Sequence, residues 1–447
     1  MLKTIFLSII LYTSVSLCAQ QELPVFKLTR YDSTEIKGYY FFTANNFLII
    51  YDKNINLVYY KPVQTALVFS LEHNNKMLFT TKNNVYLMDS TFNVVDSFAC
   101  KGYLNDEHEG LILPSGHILL LGNENVTVDI KNNPELNKRW KYDSICLLTA
   151  VIQEQDMQHN VVFEWHAKNY FQPGDSDPFY DKRYNQPNWT HSNALELDAD
   201  GNILLSSRNL NEITNINRKD GSVIWRLGGK NNEFKFVNWT EPFYGQHDIK
   251  RIANGHFTLF DNGQNVVSHG ARALEFELDE KNKIATLKWS YIYDSAMSSK
   301  GRGNVQRLPD ENTLIGYGAP TKNNVCFVIV NPKGSKIMQV NGTLDVYRVT
   351  NYSSLPFKLH RPVIDCFDSA GVNYLDAGAG YKSYKWNTGD TTRIIKATKD
   401  GSYSVFVNYG DGGFISSEKL ILVGLSKSCN NKPDSHKNKY NLNTIKK

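Results

Sequence analysis

Short apolar runs separated by polar turns recur along most of the chain. Each run holds about four to six apolar residues behind a turn rich in Asn, Gly or Asp, and further strand-like stretches follow it, often ending on an aromatic residue as in SVIWRLGG. The spacing of roughly forty to sixty residues predicts an all-β fold, a six-bladed β-propeller over residues 20–354, with each run as the first strand of a blade. The runs read NNFLIIYD from residue 45, NKMLFTTK from 75, GHILLLGN from 116, GNILLSSR from 201, GHFTLFDN from 255 and ENTLIGYG from 311.

After about residue 355 the pattern changes to shorter alternating stretches around the fragment YKWNTGDTT. This region resembles the small immunoglobulin-like modules at the ends of exported proteins. It predicts an immunoglobulin-like β-sandwich over residues 355–426 with Trp386 buried, and we expect a role in stability or surface attachment. The polar residues 427–447 predict a solvated tail.

The first residues predict export. A single Lys3 precedes an apolar stretch over residues 5–17, which is too short to span a membrane comfortably. We therefore expect a cleaved signal peptide over residues 1–19 and a periplasmic or secreted protein. A lipid anchor on Cys18 is the alternative, but Leu17 before it is larger than a lipoprotein cleavage site prefers.

Removal of that peptide leaves five cysteines, none of them in a metal-binding spacing. Cys366 and Cys429 bracket the C-terminal region, and we predict a disulfide between them because exported proteins can keep disulfides. We expect Cys100, Cys146 and Cys326 to be small buried core residues.

Bulk composition narrows the classes of function. Hydrophobic residues make up 41% and charged residues 21% of the chain, as in an ordinary globular protein. The formal charge of +4 is too small to indicate nucleic-acid binding, and basic residues form no stripe with aromatic ones.

Three histidines occupy one phase of the repeat. His191 and His247 stand ahead of apolar runs, His108 takes the matching place in DEHEGLILPSGHILLLG, and Arg208 ends the run LLSSR. For any single histidine, a core or surface position satisfied by a carbonyl is the simpler reading. The repeated phase favours imidazoles from several blades meeting a guanidinium at one channel mouth.

Two chemistries suit such a cluster. Neutral imidazoles are common metal ligands, but a permanent guanidinium repels a divalent ion. Arg208 therefore favours transfer of an anionic sulfuryl or phosphoryl group, with Asn193 and two histidines donating to its oxygens while one imidazole attacks. No glycine-rich nucleotide loop is present, so neither a nucleotide donor nor another cofactor is indicated.

The segments WTHSNALELDADGNILLSSRN, QHDI and NGHFTLFDNG, with HEGLILPSGHILLL and GSVIWRLGG, resemble the bacterial arylsulfate sulfotransferases over about residues 25–345. The resemblance implies an exported six-bladed propeller that moves a sulfuryl group from a phenolic sulfate ester to a phenol, through a sulfohistidine and without 3′-phosphoadenylyl sulfate. It places the sulfated histidine at His247, and it supports His191, Asn193, Arg208 and His108 as the other catalytic residues.

Two long insertions precede His191 and His247, and both carry an N-W-T triplet with aromatic neighbours. We expect them to line a substrate pocket, because long loops over one face of a propeller usually carry function. Asp248 or a main-chain carbonyl is expected to orient the His247 ring, whereas Asp261 and Asn262 are expected to shape a turn. The predicted substrate-binding residues are Trp189, Trp239, Phe243, Tyr244 and, with Glu275 as a rival partner, Arg272.

We therefore predict an enzyme whose partners are a small phenolic sulfate and a phenol, with no nucleic acid, no transmembrane span, and a homodimer left open. The alternative is a non-catalytic exported propeller that binds a sulfated or phenolic ligand.

Overall fold

The computed structural model describes residues 23–72, 75–140, 142–180, 187–264, 269–342 and 346–424. The predicted signal peptide, the predicted tail and Cys429 lie outside these residues. Within them, no helix has the length and apolar character needed to cross a bilayer.

Strands dominate the described residues, and we number them in chain order together with one short helix, α1 (Pro134–Arg139). The strands are β1 (Phe26–Arg30), β2 (Tyr39–Ala44), β3 (Phe47–Asp52), β4 (Leu57–Pro62), β5 (Phe69–Leu71), β6 (Met77–Thr80), β7 (Val85–Met88), β8 (Val94–Phe98), β9 (Leu104–Ile112), β10 (Ile118–Asp129), β11 (Ser144–Gln155), β12 (Val161–His166), β13 (Ser192–Leu197), β14 (Ile203–Ser207), β15 (Glu212–Ile216), β16 (Val223–Gly228), β17 (Lys235–Val237), β18 (His247–Arg251), β19 (Phe257–Asp261), β20 (Arg272–Asp279), β21 (Ile284–Ile292), β22 (Asn304–Arg307), β23 (Thr313–Gly316), β24 (Val325–Val330), β25 (Lys336–Gly342), β26 (Val346–Tyr352), β27 (Asp365–Ser369), β28 (Val372–Asp376), β29 (Tyr384–Trp386), β30 (Ile394–Lys396), β31 (Gly401–Tyr403), β32 (Val405–Tyr409), β33 (Gly413–Ser416) and β34 (Leu420–Leu422).

Six antiparallel sheets follow one another as the blades of a propeller, as the sequence predicts. In chain order they are built on β26-β2-β3-β4, β5-β6-β7-β8, β9-β10-β11-β12, β13-β14-β15-β16, β18-β19-β20-β21 and β22-β23-β24-β25. Each sheet contacts the next, and β26 of the first blade contacts both β22 and β5, so the six sheets form a ring.

The apolar runs that mark the repeat are not the first strands of the blades, and this part of the prediction is wrong. In five blades the run forms the second strand, and in the first blade it forms the third strand, β3. The five second strands are β6, β10, β14, β19 and β23. Second strands are buried between neighbouring sheets on both faces, as in ILLSS of β14. The innermost strands are more polar, as in HDIKR of β18, because they line the channel.

Each end of the propeller segment adds a strand to the blade that the other end of the segment forms. Strand β26 pairs with β2 as the innermost strand of the first blade, with Tyr39 opposite Tyr352. Strand β1 pairs with β25 as the outermost strand of the last blade, with Phe26 opposite Gly342. Each overlap turns a contact between chain ends into main-chain hydrogen bonds, which holds the ring closed.

The C-terminal strands are continuous with the first blade. Strand β33 pairs with β4, and β32 and β29 extend the same sheet. Trp386 is buried as predicted, in a core that also holds Tyr59 and Phe92 from the propeller. The strands β27, β28 and β30 form a separate small sheet, and β31 pairs with β34. The immunoglobulin-like assignment and the boundary at residue 354 remain predictions.

Cysteine burial agrees with the prediction in part. Cys100 and Cys326 are buried, but Cys146 is exposed because it lies near the outer end of β11, where the strand extends beyond the core. Cys366 is disulfide-bonded.

Candidate active site

The beginnings of three innermost strands bring the predicted histidines together. His247 is the first residue of β18, His108 lies in β9, and His191 stands just before β13 with a left-handed φ of 42°. The ring centroids of His108 and His191 are 5.0 Å apart. Tyr347 links the group, with its ring 5.8 Å from His108 and 6.5 Å from His247. The repeated phase therefore does mark side chains that share one end of the channel.

His247 is almost completely buried, with 2% of its surface exposed. Its Nδ1 lies 2.7 Å from Oδ1 of Asn262 and 3.1 Å from the carbonyl of Gly245. On the other side of the ring, the main-chain N–H of Arg302 donates to Nε2 across 3.0 Å. Because a main-chain N–H can only donate, Nε2 carries the lone pair and Nδ1 carries the proton.

The surroundings of His247 favour the neutral ring. Burial and then the positive charge of Arg208 hold the pKa of His247 well below its usual value, and the hydrogen bond to Asn262 opposes them only in part. A buried neutral imidazole with a defined lone pair is the form in which histidine acts as a nucleophile.

His108 has the opposite environment. Its Nδ1 lies 2.5 Å from Oδ1 of Asp106, and Asn123 holds the second oxygen of that carboxylate at 2.6 Å. Burial alone would lower the pKa of His108, but the Asp106 carboxylate outweighs burial and raises the pKa above the usual value. Two rings of one cluster are thus driven toward different protonation states, which is how acid and nucleophile roles are separated in a site.

Arg208 follows β14 in a short 3₁₀ turn and is 2% exposed. Its main-chain N–H donates to the carbonyl of His191 across 3.1 Å, which ties the two turns together. The guanidinium donates to Gln264 at 2.8 Å and to the carbonyl of Lys300 at 3.3 Å, and it lies over the ring of Tyr180. Since Arg208 also lowers the pKa of His247, its charge acts directly on the nucleophile candidate.

Asn193 is fully buried beneath the histidines. Its Nδ2 donates to the carbonyl of Gln246, the residue before His247, across 2.7 Å. Its Oδ1 has no hydrogen-bond partner among the described residues. The Nδ2 group of Asn193 therefore holds the turn before His247, and its Oδ1 is left as a hydrogen-bond acceptor.

Two of the predicted aromatic contacts, Trp189 and Trp239, belong to blade cores, and their assignment to a pocket is corrected. Trp189 is 4% exposed within a hydrophobic cluster. Trp239 packs on Phe276 and donates to the carbonyl of Ala285 across 3.0 Å. These side chains point inward, and their packing against the blades holds the insertion loops in place.

Tyr244 and Arg272 have different positions. Tyr244 is half-buried and lines a cleft of about 540 Å³ together with Phe243, Arg139 and Lys230, and Phe243 also packs in a blade core. Arg272 donates to Asp261 at 2.8 Å and to the carbonyls of Glu241 and Pro242, so it holds the loop before His247 rather than facing a ligand.

Several residues at the site were not predicted. Asp248 does not orient His247; it has a left-handed φ of 57° and faces Arg348 at 3.3 Å. Asn262 and the main-chain carbonyl of Gly245 take that role, so the expected main-chain acceptor is present, whereas the NG of FDNG indicates only a turn. Asp106 lies two residues before His108, and this D-x-H spacing could have indicated it as a partner of the histidine. Arg302 and Tyr347 come from other blades, and no local pattern indicates them.

A buried ion network lies below the histidines in the channel. Arg348 pairs with Glu109 at 2.6 Å and donates to the carbonyl of Asn193 at 2.8 Å. Below it, Lys250 is held by Glu196 at 2.8 Å. These pairs lie between the histidine end of the channel and a cavity of about 980 Å³ at the opposite end.

Comparison with known proteins gives one informative match. The family model described as Arylsulfotransferase (ASST) matches residues 27–348, which is most of the chain and all six blades. No curated protein matches the chain.

Solved structures with a similar arrangement include a protein of unknown function from Bacteroides caccae, at 11% identity and a TM-score of 0.44, covering 70% of this chain and 98% of that one. Virginiamycin B lyase from Staphylococcus aureus has 11% identity and a TM-score of 0.37, covering 78% and 96%. Likenesses this distant carry no argument about function. The family match does, and the chain belongs to the arylsulfotransferase family of enzymes.

Proposed function

We propose that this enzyme transfers a sulfuryl group from a phenolic sulfate ester to a phenol by double displacement, with His247 as the residue that is sulfated and no nucleotide donor. The observation that carries the proposal is the contrast between the two rings. His247 is neutral with its lone pair on Nε2, whereas His108 is paired with a carboxylate that favours its protonated form. One site thus contains a nucleophile and a proton donor at the same pH.

In the first half-reaction, Nε2 of His247 forms a bond to sulfur while the bond from sulfur to the aryl oxygen breaks. The electron pair of that bond leaves with the oxygen, and the proton of the His108 imidazolium goes to it, so a neutral phenol departs. The sulfated His247 ring retains its Nδ1 proton, which faces the Asn262 oxygen.

In the second half-reaction, the acceptor phenol gives its proton to the now neutral His108 as its oxygen attacks sulfur. The bond from sulfur to Nε2 breaks, and its electron pair returns to His247. Both histidines recover their starting states, so no further reactant is required.

Arg208 is the group best suited to the sulfuryl oxygens. Its guanidinium presents a forked set of donors and is buried, where such hydrogen bonds gain strength. In the proposed complex Arg208 and His191 donate to the oxygens, and Asn193 holds the turn that carries His247. Tyr244 and Phe243, which line one cleft, remain as the aromatic surface for the substrate ring.

The test is a pair of variants assayed with 4-nitrophenyl sulfate and a phenol acceptor. His247→Asn should lose transfer by a factor of about 10⁴ or more, because the nucleophile is absent. His256→Asn is the matched control, since His256 sits on the far side of the same blade beside Glu275 and should leave the rate unchanged. Near-normal turnover in His247→Asn would show that another group attacks sulfur.

Mass spectrometry provides the second part of that test. Wild-type enzyme given donor without acceptor should gain the mass of one sulfuryl group, on the peptide that contains His247. Release of nitrophenolate into water without a sulfated peptide would instead indicate direct hydrolysis.

The proposal also includes three expectations from the sequence. They are export of the protein, a homodimer, and surface attachment by the C-terminal region. Export predicts that the mature chain begins near residue 20, which N-terminal sequencing of the native protein would check. Sedimentation of the purified enzyme would check the homodimer.

A further inference from the structure

The structure assigns a positioning role to Asn262 and a covering role to the segment 299–303. We propose that the Asn262 side chain fixes which nitrogen of His247 reacts, and that it also holds the Arg302 main chain over that nitrogen until a donor binds. The inference rests on the proposed function of His247 and adds how its reactivity is controlled.

The Asn262 amide can have only one orientation. Its Nδ2 donates to the carbonyl of Arg302 across 2.8 Å, and a carbonyl can only accept. The Oδ1 atom must therefore face the imidazole, 2.7 Å from Nδ1 of His247. An acceptor at Nδ1 places the ring proton there, so the lone pair is on Nε2.

Asn262 also connects the histidine to the covering segment. Its main-chain carbonyl accepts the N–H of Ser299 at 3.0 Å, and its side chain holds the carbonyl of Arg302. The segment is thereby fixed at both ends. Between them, Arg302 has a left-handed φ of 67°, which is unfavourable for a residue with a side chain and persists only because the contacts on both sides hold it.

The covering contact and the reaction exclude each other. Nε2 accepts the Arg302 N–H across 3.0 Å in the resting enzyme. A single lone pair cannot accept this N–H and form a bond to sulfur at once, so the segment must withdraw before attack.

Arg208 supplies a way to couple withdrawal to donor binding. Its guanidinium makes a long contact of 3.3 Å to the carbonyl of Lys300, within the same segment. Sulfuryl oxygens that recruit this guanidinium compete with that carbonyl. Binding of an anionic sulfate ester therefore removes one of the contacts that hold the segment 299–303 in place.

The choice of an amide rather than a carboxylate has a chemical consequence. After transfer, the sulfated His247 ring is cationic, and a carboxylate at Nδ1 would stabilise it. The neutral Asn262 oxygen does so less, which keeps the sulfuryl group easily transferred to the phenol. In the Asn262→Asp variant, the sulfuryl group should therefore stay on His247 longer.

The decisive experiment needs no substrate. Histidine-labelled wild-type, Asn262→Asp and Asn262→Leu enzymes are titrated by NMR, and the tautomer and pKa of His247 are read from its ring nitrogens. The wild-type ring should be neutral with its proton on Nδ1. Asn262→Asp should raise the pKa by about one to three units, because a carboxylate then faces the ring. Asn351→Asp, an equally conservative change at a buried amide on β26 that holds the carbonyl of Lys37, should leave the pKa unchanged.

A wild-type proton on Nε2, or equal pKa values in wild type and Asn262→Asp, would overturn the assignment. Because these readings are taken without turnover, they remain valid even if the enzyme proves not to form a sulfohistidine.

Two functional readouts follow on the active enzyme. In Asn262→Asp, the acid limb of kcat/KM against pH should move up by the same one to three units, about the shift in the ring pKa. The sulfated form should also accumulate during turnover. In wild type, amide hydrogen exchange of a peptide covering residues 299–305 should become faster when His247 is sulfated. Unchanged exchange would exclude the withdrawal of the segment.

Discussion

His108 and His247 have the same side chain but touch different groups at Nδ1. A carboxylate faces the first and raises its pKa, whereas an amide oxygen faces the second, whose neutral form is favoured by burial and by the charge of Arg208. Burial alone would favour the neutral form of both rings. The Asp106 carboxylate thus separates the protonation state of His108 from that of His247, and in the proposed mechanism this contrast separates the proton donor from the nucleophile.

Asp106→Asn tests this division. Without the carboxylate, burial lowers the pKa of His108, so the basic limb of the rate profile should move to lower pH. At neutral pH, transfer from phenyl sulfate should fall by about 10² or more, because its leaving phenolate needs the proton. Transfer from 4-nitrophenyl sulfate should fall much less, since nitrophenolate leaves readily. An equal loss with both donors in initial-rate measurements would argue for a purely structural role of Asp106.

Among the elements, the innermost strands bring in the three histidines, and the ends of the second strands β14 and β19 bring in Arg208 and Asn262. The residues that hold the His247 turn come from neighbouring strands: Gln246 donates to the carbonyl of Glu212 at 3.1 Å, at the start of β15. Glu212 is 1% exposed, and one of its carboxyl oxygens has no hydrogen-bond partner among the described residues. Burial accordingly raises the pKa of Glu212 to about 7.

Glu212→Gln should reveal this burial as a dependence of stability on pH. The folded chain binds a proton at Glu212 that the unfolded chain releases above about pH 4.5, so stability falls as pH rises from there to about 7. The variant lacks this loss. In denaturant unfolding its advantage over wild type should be below ~1 kcal/mol at pH 5 and should grow to ~3 kcal/mol at most by pH 8.

The control is Glu233→Gln, because Glu233 is exposed, pairs with the partly exposed Lys283 and accepts only a main-chain N–H from Arg226 besides. Its denaturant midpoint should follow that of wild type at both pH values. If Glu212→Gln showed no gain at pH 8, Glu212 would be neutral or well solvated in the folded enzyme across this range.

At the scale of the whole molecule, the ring of blades and the C-terminal strands share one sheet. Tyr60 of β4 stacks on Phe414 of β33 with ring centroids 4.9 Å apart. Without the C-terminal strands, β4 would become an exposed sheet edge, and an apolar cluster that spans both regions would lose half of its members.

Truncation after residue 354 should therefore lower the thermal midpoint by several degrees or more and promote aggregation, with kcat/KM of the folded fraction unchanged. Phe414→Ala keeps the full chain and should lower the midpoint by less, again without an effect on kcat/KM. The midpoints are measured by calorimetry or circular dichroism. A truncated chain as stable as the full one would mean that the propeller gains nothing from the shared sheet.

The amino-acid sequence was enough to predict the repeat, the six blades and the common phase of the three histidines with Arg208. These follow from local patterns, because turns and apolar runs are dictated by neighbouring residues in the chain. The same local pattern mistook second strands for first ones, since the innermost strands line a polar channel and lack an apolar signal.

Only the tertiary structure decided the protonation and accessibility of the site. Asn262 and Arg302 approach His247 from positions 15 and 55 residues away in the chain. The tertiary structure also places Trp189 and Trp239 in the blade cores, because an aromatic residue in a loop can face a pocket or a sheet with the same sequence pattern. Contacts between blades depend on how the ring closes, and closure is a property of the whole chain rather than of any segment.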